Sequence, residues 1–308
     1  MSSSLFSRAT KAQAKARIAF SGPSGAGKTY WALQMATALV ADNGGKIAVI
    51  DTERSSASLY ADKFEFDTLS MSPPYHPDRL VEVLRVAKDE GYSVIIIDSL
   101  THFWNGKGGV LEIVEDAKGR VGGNQFQAWA VGTPIYQAML DALLAFDGHI
   151  IVTMRAKTEY AMEKNERGKT EIRKVGMAPI MRDGIEYEFT LTFDVDIEHR
   201  ATVAKTRCVA LADRAFKPAD ANEAFSTFIN WLSAGDPLLD TNQRNGLETR
   251  IGNLSPANRA SLAKLWADNS LPKVAQLTTN QLNKVNDLIA SVEAEESSAE
   301  PSSEVVPS

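Results

Sequence analysis

Cysteine is almost absent: Cys208 is the single one among 308 residues. No internal disulfide can form, so the fold must rest on its core, as suits a reducing compartment. Long apolar runs are missing as well. None approaches the ~18 residues that would cross a bilayer, so no membrane partner is expected. Residues 1–16 carry basic groups without the apolar stretch of a secretory signal and are expected to be a flexible tail. Basic charge is scarce overall, with a formal net charge of −6. Much of that sits at one end: Glu293, Glu295, Glu296, Glu300 and Glu304 follow the last cation, Lys284. Without these five the chain is close to neutral, so any surface for a polyanion must be local. The remaining composition, 44% hydrophobic and 23% charged, is ordinary for a globular protein.

What is present is an alternation. The apolar runs Arg17–Ser21, Lys46–Asp51, Ser93–Asp98 and His149–Met154 read as strands buried on both faces. Helical patterns separate them at Lys28–Ala41, Pro77–Glu90 and Gly132–Phe146. This rhythm predicts an α/β fold with a mainly parallel central sheet flanked by helices. Tyr187–Asp196 and Thr202–Leu211 flank a short polar turn and predict an antiparallel hairpin at the sheet's end. The expected layout is one α/β domain over 17–234, a small α-helical module over 238–290, and a disordered acidic tail over 291–308.

Gly22-Pro23-Ser24-Gly25-Ala26-Gly27-Lys28-Thr29 fits G-x-x-x-x-G-K-[ST], between a strand and a helix. Glycines let backbone N–H groups wrap a phosphate, and the helix N-terminus adds roughly half a positive charge. Lys28 is placed to reach the β- and γ-phosphates, and the Thr29 hydroxyl to ligate Mg²⁺. The nucleotide-binding set runs from Gly22 to Tyr30. Val94-Ile-Ile-Ile-Asp98 reads as a Walker B strand, with Asp98 the second Mg²⁺ group. Ser99 follows it, so a catalytic acid must come from elsewhere. Glu53, two residues after Asp51 on the preceding strand, is the candidate for orienting the attacking water, with Asp51 as its structural partner. The guanine motif Asn-Lys-x-Asp is absent; the nearest string, Asn283–Asn286, lacks the aspartate.

One strand is odd. Ala201–Leu211 carries Lys205 and Arg207, two apart and so on one face. Cations on an edge strand guard against aggregation; another reading is that they aim at an anion. The Walker A loop, VIDTE, VIIIDSL and VAKTR together resemble the RecA-like branch of P-loop ATPases. Within it they resemble the AAA-family ATPases of phages and prophages, some of which serve single-strand-annealing recombination. The resemblance spans about residues 17–211. It implies a RecA-like ATPase using ATP and Mg²⁺ as a homo-oligomeric ring or filament. Lys205 and Arg207 would then reach the γ-phosphate bound by a neighbouring subunit. It also implies work in recombination or replication in a bacterial host's cytoplasm. A phage recombination or replication protein would dock on the helical module or acidic tail. The sequence departs from many such relatives at the sensor position, where Thr153 and Arg155 stand instead of Gln or His.

Arg155–Lys174 holds seven cations (Arg155, Lys157, Lys164, Arg167, Lys169, Arg173, Lys174) against four glutamates. With Tyr160 to stack on a base, it is a candidate single-stranded DNA surface; a solvated hairpin is the alternative. Asn105–Gly123 is either a second DNA loop or a long connection. Two other functions stay open: an ATP-gated DNA- or partner-binding module with negligible turnover, and a small-molecule kinase, against which the lack of an Arg-rich lid counts.

Overall fold

The computed structural model describes residues 11–41, 44–164 and 170–299. Its strands are β1 (Arg17–Gly22), β2 (Lys46–Asp51), β3 (Asp67–Ser70), β4 (Tyr92–Asp98), β5 (His149–Lys164), β6 (Thr170–Pro179), β7 (Leu191–Val195), β8 (Ala201–Thr206) and β9 (Ala215–Phe216). They form one sheet in the order β3-β2-β4-β5-β1-β7-β8-β9, with β6 paired to β5 alone. The pairs from β3 through β7 are parallel; β7–β8, β8–β9 and β5–β6 are antiparallel. The mainly parallel sheet with an antiparallel end is therefore present.

The helices of the same unit are α1 (Lys28–Val40), α2 (Pro77–Asp89), α3 (Thr101–Asn105), α4 (Val110–Arg120), α5 (Gln125–Ala145) and α6 (Ala221–Ser233). Side chains alternate across a strand, so each face of the sheet needs its own cover. One layer packs Leu80, Leu84, Met139 and Leu143 with Ile95, Ile97 and Val152. The other is aromatic: Phe20 stacks on Phe193 with centroids 4.9 Å apart and on Trp31 at 6.2 Å, and Trp31 meets Phe225 edge-on.

Several elements differ from the sequence reading. The strand expected to end at Met154 continues to Lys164, because β6 pairs with it from Ala156↔Pro179 to Lys164↔Thr170. The strand expected from Tyr187 begins at Leu191, after a 3₁₀ turn over Ile185–Glu188. The strand expected to reach Leu211 stops at Thr206, whose hydroxyl accepts the Cys208 N–H at 3.0 Å. The Gly-rich stretch 105–123 is not a loop, since α4 occupies most of it and buries Val110, Val114 and Ala117.

The base of the sheet is held by a buried cation. Arg17 is 8% exposed and donates to the carbonyls of Ala16 (2.9 Å), Leu144 (2.8 Å), Phe146 (2.5 Å) and Gly148 (2.7 Å). Leu144 and Phe146 end α5, whose last carbonyls have no helical partner. Burial pulls the Arg17 guanidinium down to about 10, against the opposing pull of Asp147. Next to it, His149 Nδ1 accepts the Ala16 N–H at 2.9 Å, and burial holds that imidazole down at about 3.

Asp194 on β7 carries the opposite imbalance. Its register partner is Ser21, and the buried hydroxyls of Ser21 and Thr192 have no partner. Burial pushes the Asp194 carboxyl up to about 6 from an ordinary 3.8. A raised carboxyl favours the folded state below the unfolded pKa and loses that advantage as pH climbs through the folded one. Asp194→Asn is therefore expected to stabilise the protein by about 1–2 kcal/mol at pH 8, after discounting for partial exposure. Little gain is expected at pH 3, below the unfolded pKa; urea midpoints at the two pH values read the difference.

The chain divides into two compact units. One is Lys15–Trp231; the other joins residues 11–14 to those from Leu232 onward. In the second, α7 (Thr241–Asn253), α8 (Pro256–Asp268) and α9 (Thr279–Ala299) close over Leu247, Leu262, Val285 and Ile289. Asp240 and Gln243 form a capping box at α7, and Ser255 caps α8 ahead of Pro256. Helix α9 runs into the acidic stretch, where Glu293 takes a bidentate bond from Arg250 (2.9 and 2.5 Å). No described helix is long and apolar enough to cross a membrane.

Candidate active site

Strand β1 ends at Gly22, and the chain then wraps into α1 at Lys28. Gly22 lies against β7, where a Cβ would sit 2.4 Å from the Val195 carbonyl oxygen. Gly25 and Gly27 hold φ of 78° and 89°, a region costly for residues with a Cβ. The Lys28 ammonium donates to the Pro23 carbonyl at 2.7 Å, folded back over the loop that Pro23, Ser24 and Ala26 complete. Burial lowers its pKa, and Asp98 and Glu53 oppose that shift. Gly27→Ala is expected to weaken ATP binding about five- to thirtyfold, the equivalent of the 1–2 kcal/mol of left-handed strain. Calorimetric titration of ATP checks it.

Asp98 ends β4 and is 2% exposed. The Thr29 hydroxyl donates to its Oδ2 at 2.7 Å and the Thr153 hydroxyl to its Oδ1 at 2.5 Å. Burial drives the Asp98 carboxyl upward, and the two hydroxyl bonds resist. Among the described residues no three His, Cys, Asp or Glu side chains gather as a metal cage. Thr29 and Asp98 offer hard oxygen donors side by side, which fits Mg²⁺ shared with substrate phosphates.

Glu53 stands across from this pair on a tight loop after β2. Asp51 is the brace of that loop: its Oδ1 accepts the Glu53 N–H at 2.7 Å and its Oδ2 the Ala57 N–H at 2.9 Å. Arg155 reaches Glu53 with two bonds, Nε to Oε1 at 2.9 Å and Nη2 to Oε2 at 2.6 Å. Burial would raise the Glu53 carboxyl; Arg155's hydrogen bonds and charge outweigh it and leave the pKa below its ordinary value. Thr153 and Arg155, two apart on β5, thus touch the two acids of the site, Asp98 and Glu53.

Lys205 and Arg207 do not meet these groups within the chain. Lys205 Nζ donates to the carbonyls of Glu186 (3.2 Å), Tyr187 (2.8 Å) and Phe189, finishing the 3₁₀ turn before β7. Arg207 is exposed, and its guanidinium makes no hydrogen bond or ion pair among the described residues. Strand β8 stops at Thr206, so Arg207 stands just beyond it, its N–H donating to the Thr190 carbonyl at 3.1 Å. Lys157 is exposed. Arg167 and Lys169 lie outside the described residues, as do the side chains of Tyr160, Lys164, Arg173 and Lys174.

Three site features escaped the sequence reading. His199, in the β7–β8 turn, leans over the phosphate loop with Nδ1 3.0 Å from the Ala26 carbonyl. Asp196 builds that turn by accepting the N–H groups of Glu198 and Arg200, each at 2.9 Å. Beside Gly27 a cavity of about 770 Å³ is lined by Tyr30, Tyr60, His199 and Pro218, among others. Tyr30 meets Tyr60 edge-on at 5.9 Å, giving an apolar wall of a size suited to a nucleobase. The third is His102, whose Nδ1 lies 2.7 Å from the Thr52 hydroxyl behind Glu53.

A family model described as an AAA domain matches residues 14–233. The chain belongs to the AAA domain family. Its phosphate loop, Asp98 strand and Glu53 loop all fall inside the matched span. In this AAA domain β5 stands between the Walker A strand and the Walker B strand. Among solved structures it is similar to a KaiC-like protein of the hyperthermophilic archaeon Pyrococcus horikoshii. That similarity is 15% identity and a TM-score of 0.40, over 65% of this chain and 83% of that one. No curated protein matches.

Proposed function

We propose that this AAA-domain protein hydrolyses ATP with Mg²⁺ as an oligomer and works on single-stranded DNA in phage-type recombination or replication. The observation that carries the hydrolytic half is the 2.7 Å bond between Thr29 and Asp98 at the mouth of the phosphate loop, with Glu53 opposite. Lys28 leaves the Pro23 carbonyl for the β- and γ-phosphates. Thr29 and Asp98 would hold Mg²⁺, which would spread the charge that builds on the phosphates. Glu53, once parted from Arg155, orients the water and takes its proton. Tyr30 and Tyr60 flank the base. The exposed Arg207, unpaired among the described residues, supports a finger offered to a neighbour, a group able to add ~10³–10⁵ in rate. Lys205, spent on three carbonyls of its own chain, braces the strand that carries it. The long β5–β6 hairpin with Lys157 at its root supports a polyanion surface.

Mixing tests the shared site. Lys28→Ala and Arg207→Ala subunits, each inactive, are expected to recover part of the ATPase activity when combined; no recovery at any ratio removes the trans finger. Measuring the rate with and without single-stranded DNA, together with oligomer mass, tests the rest. A second reading, an ATP-gated binding module with negligible turnover, is favoured by one observation: Glu53 is tied bidentately to Arg155.

A further inference from the structure

A second cavity, of about 510 Å³, lies against the Glu53–Arg155 pair. Its walls are firm. The Tyr75 N–H donates to the Lys107 carbonyl at 2.7 Å, and a Cβ on Gly108 would sit 2.5 Å from the Pro74 Cβ. The loops carrying Pro74 and Lys107 are therefore locked together. Tyr75 stacks on His102 with centroids 5.0 Å apart, closing the floor.

The charge of the lining is the telling feature. Arg54, Lys107 and Arg155 all border the cavity, and Glu53 is the one acid among its lining residues. Arg155 already neutralises that acid. His102 adds no negative charge, and burial, followed by Arg155, holds its imidazole below the ordinary value. The side chains of Arg54 and Lys107 are exposed and make no hydrogen bond or ion pair among the described residues. Arg54 also stands at φ 60°, unfavourable for a residue with a Cβ, in the loop that Asp51 pins. Two unpaired cations converge on one walled space, beside a third that holds an exchangeable ion pair.

We propose that this cavity binds a phosphate group that is not part of the hydrolysed nucleotide, through Arg54, Lys107 and Arg155, and that the bound group draws Arg155 away from Glu53. Two uncompensated positive charges match a phosphate dianion better than a carboxylate. The guanidinium fork of each arginine suits tetrahedral oxygens. The space also has room for an organic group attached to the phosphate. The release of Glu53 rests on the water-orienting role proposed for it; the binding does not.

The test starts with binding. Inorganic phosphate is titrated calorimetrically into the full chain saturated with ADP and Mg²⁺, so that the phosphate loop is filled. One site is expected, with affinity at least tenfold weaker in Arg54→Ala/Lys107→Ala. Displacement by a thymidine oligonucleotide would assign the group to a polynucleotide backbone. Failure to displace would assign it to a small phosphorylated compound or to released product phosphate. No binding, or equal affinity in the double variant, overturns the site. Release is read from the acid limb of the ATPase pH profile. That limb should move to higher pH in Arg155→Gln, and in the wild type with phosphate bound, but not with phosphate in the double variant. A limb that stays in place overturns the release alone. A wild type without turnover overturns the hydrolytic reading and leaves phosphate binding standing.

Discussion

Glu53→Gln is expected to lower kcat for ATP hydrolysis by about a hundred- to ten-thousandfold, the usual contribution of a positioned general base. ATP affinity should hardly change, because the Glu53 carboxylate is hydrogen-bonded to Arg155 and not to the phosphate loop. Glutamine keeps the size of the side chain and can still accept one bond from Arg155. What it loses is the charge and the basicity that a water molecule needs. Steady-state rates paired with calorimetric ATP titration separate the two effects. A loss of affinity as large as the loss of rate would mean that Glu53 serves the shape of the loop. An unchanged rate would remove it from the reaction.

Arg17→Met should be the most damaging single change to stability, costing about 3–5 kcal/mol. Methionine fills similar space and removes a costly buried charge. It leaves the carbonyls of Leu144, Phe146 and Gly148 buried without their donor. Losing the partners outweighs the relief, since each buried, unsatisfied carbonyl costs about 1–3 kcal/mol. For a unit of this size the melting temperature should fall by roughly 6–20 °C. Calorimetric melting of the two proteins reads it directly; a fall of only a degree or two would show that water replaces the guanidinium.

The parts of the site visible in the sequence are those built from one short stretch. Gly22–Thr29 is such a case: backbone curvature, phosphate contact and metal contact are all set by neighbours in the chain. Asp98 was visible because four apolar residues before it fix where the strand ends. The Glu53–Arg155 pair was not, since its members are 102 residues apart and only the order of β2, β4 and β5 brings them together. Arg17 read only as the first residue of a strand, and its role depends on where α5 ends. Strand β3 escaped notice because Asp67–Ser70 is exposed throughout and has no apolar pattern. His199 sat in a turn that looked like a mere connection.

Strand β5 has one further consequence. From Arg155 to Lys164 it projects roughly 30 Å at about 3.3 Å per residue, braced by β6 along that length. Such a rod, continuous with the sheet strand at its root, can act as a reducing lever. A few ångströms of sideways travel at its tip turn the root through several degrees, which moves the Arg155 guanidinium by some tenths of an ångström. Hydrogen bonds weaken over that same scale. Mechanical load at a distant point thus has a geared route to the carboxylate of Glu53.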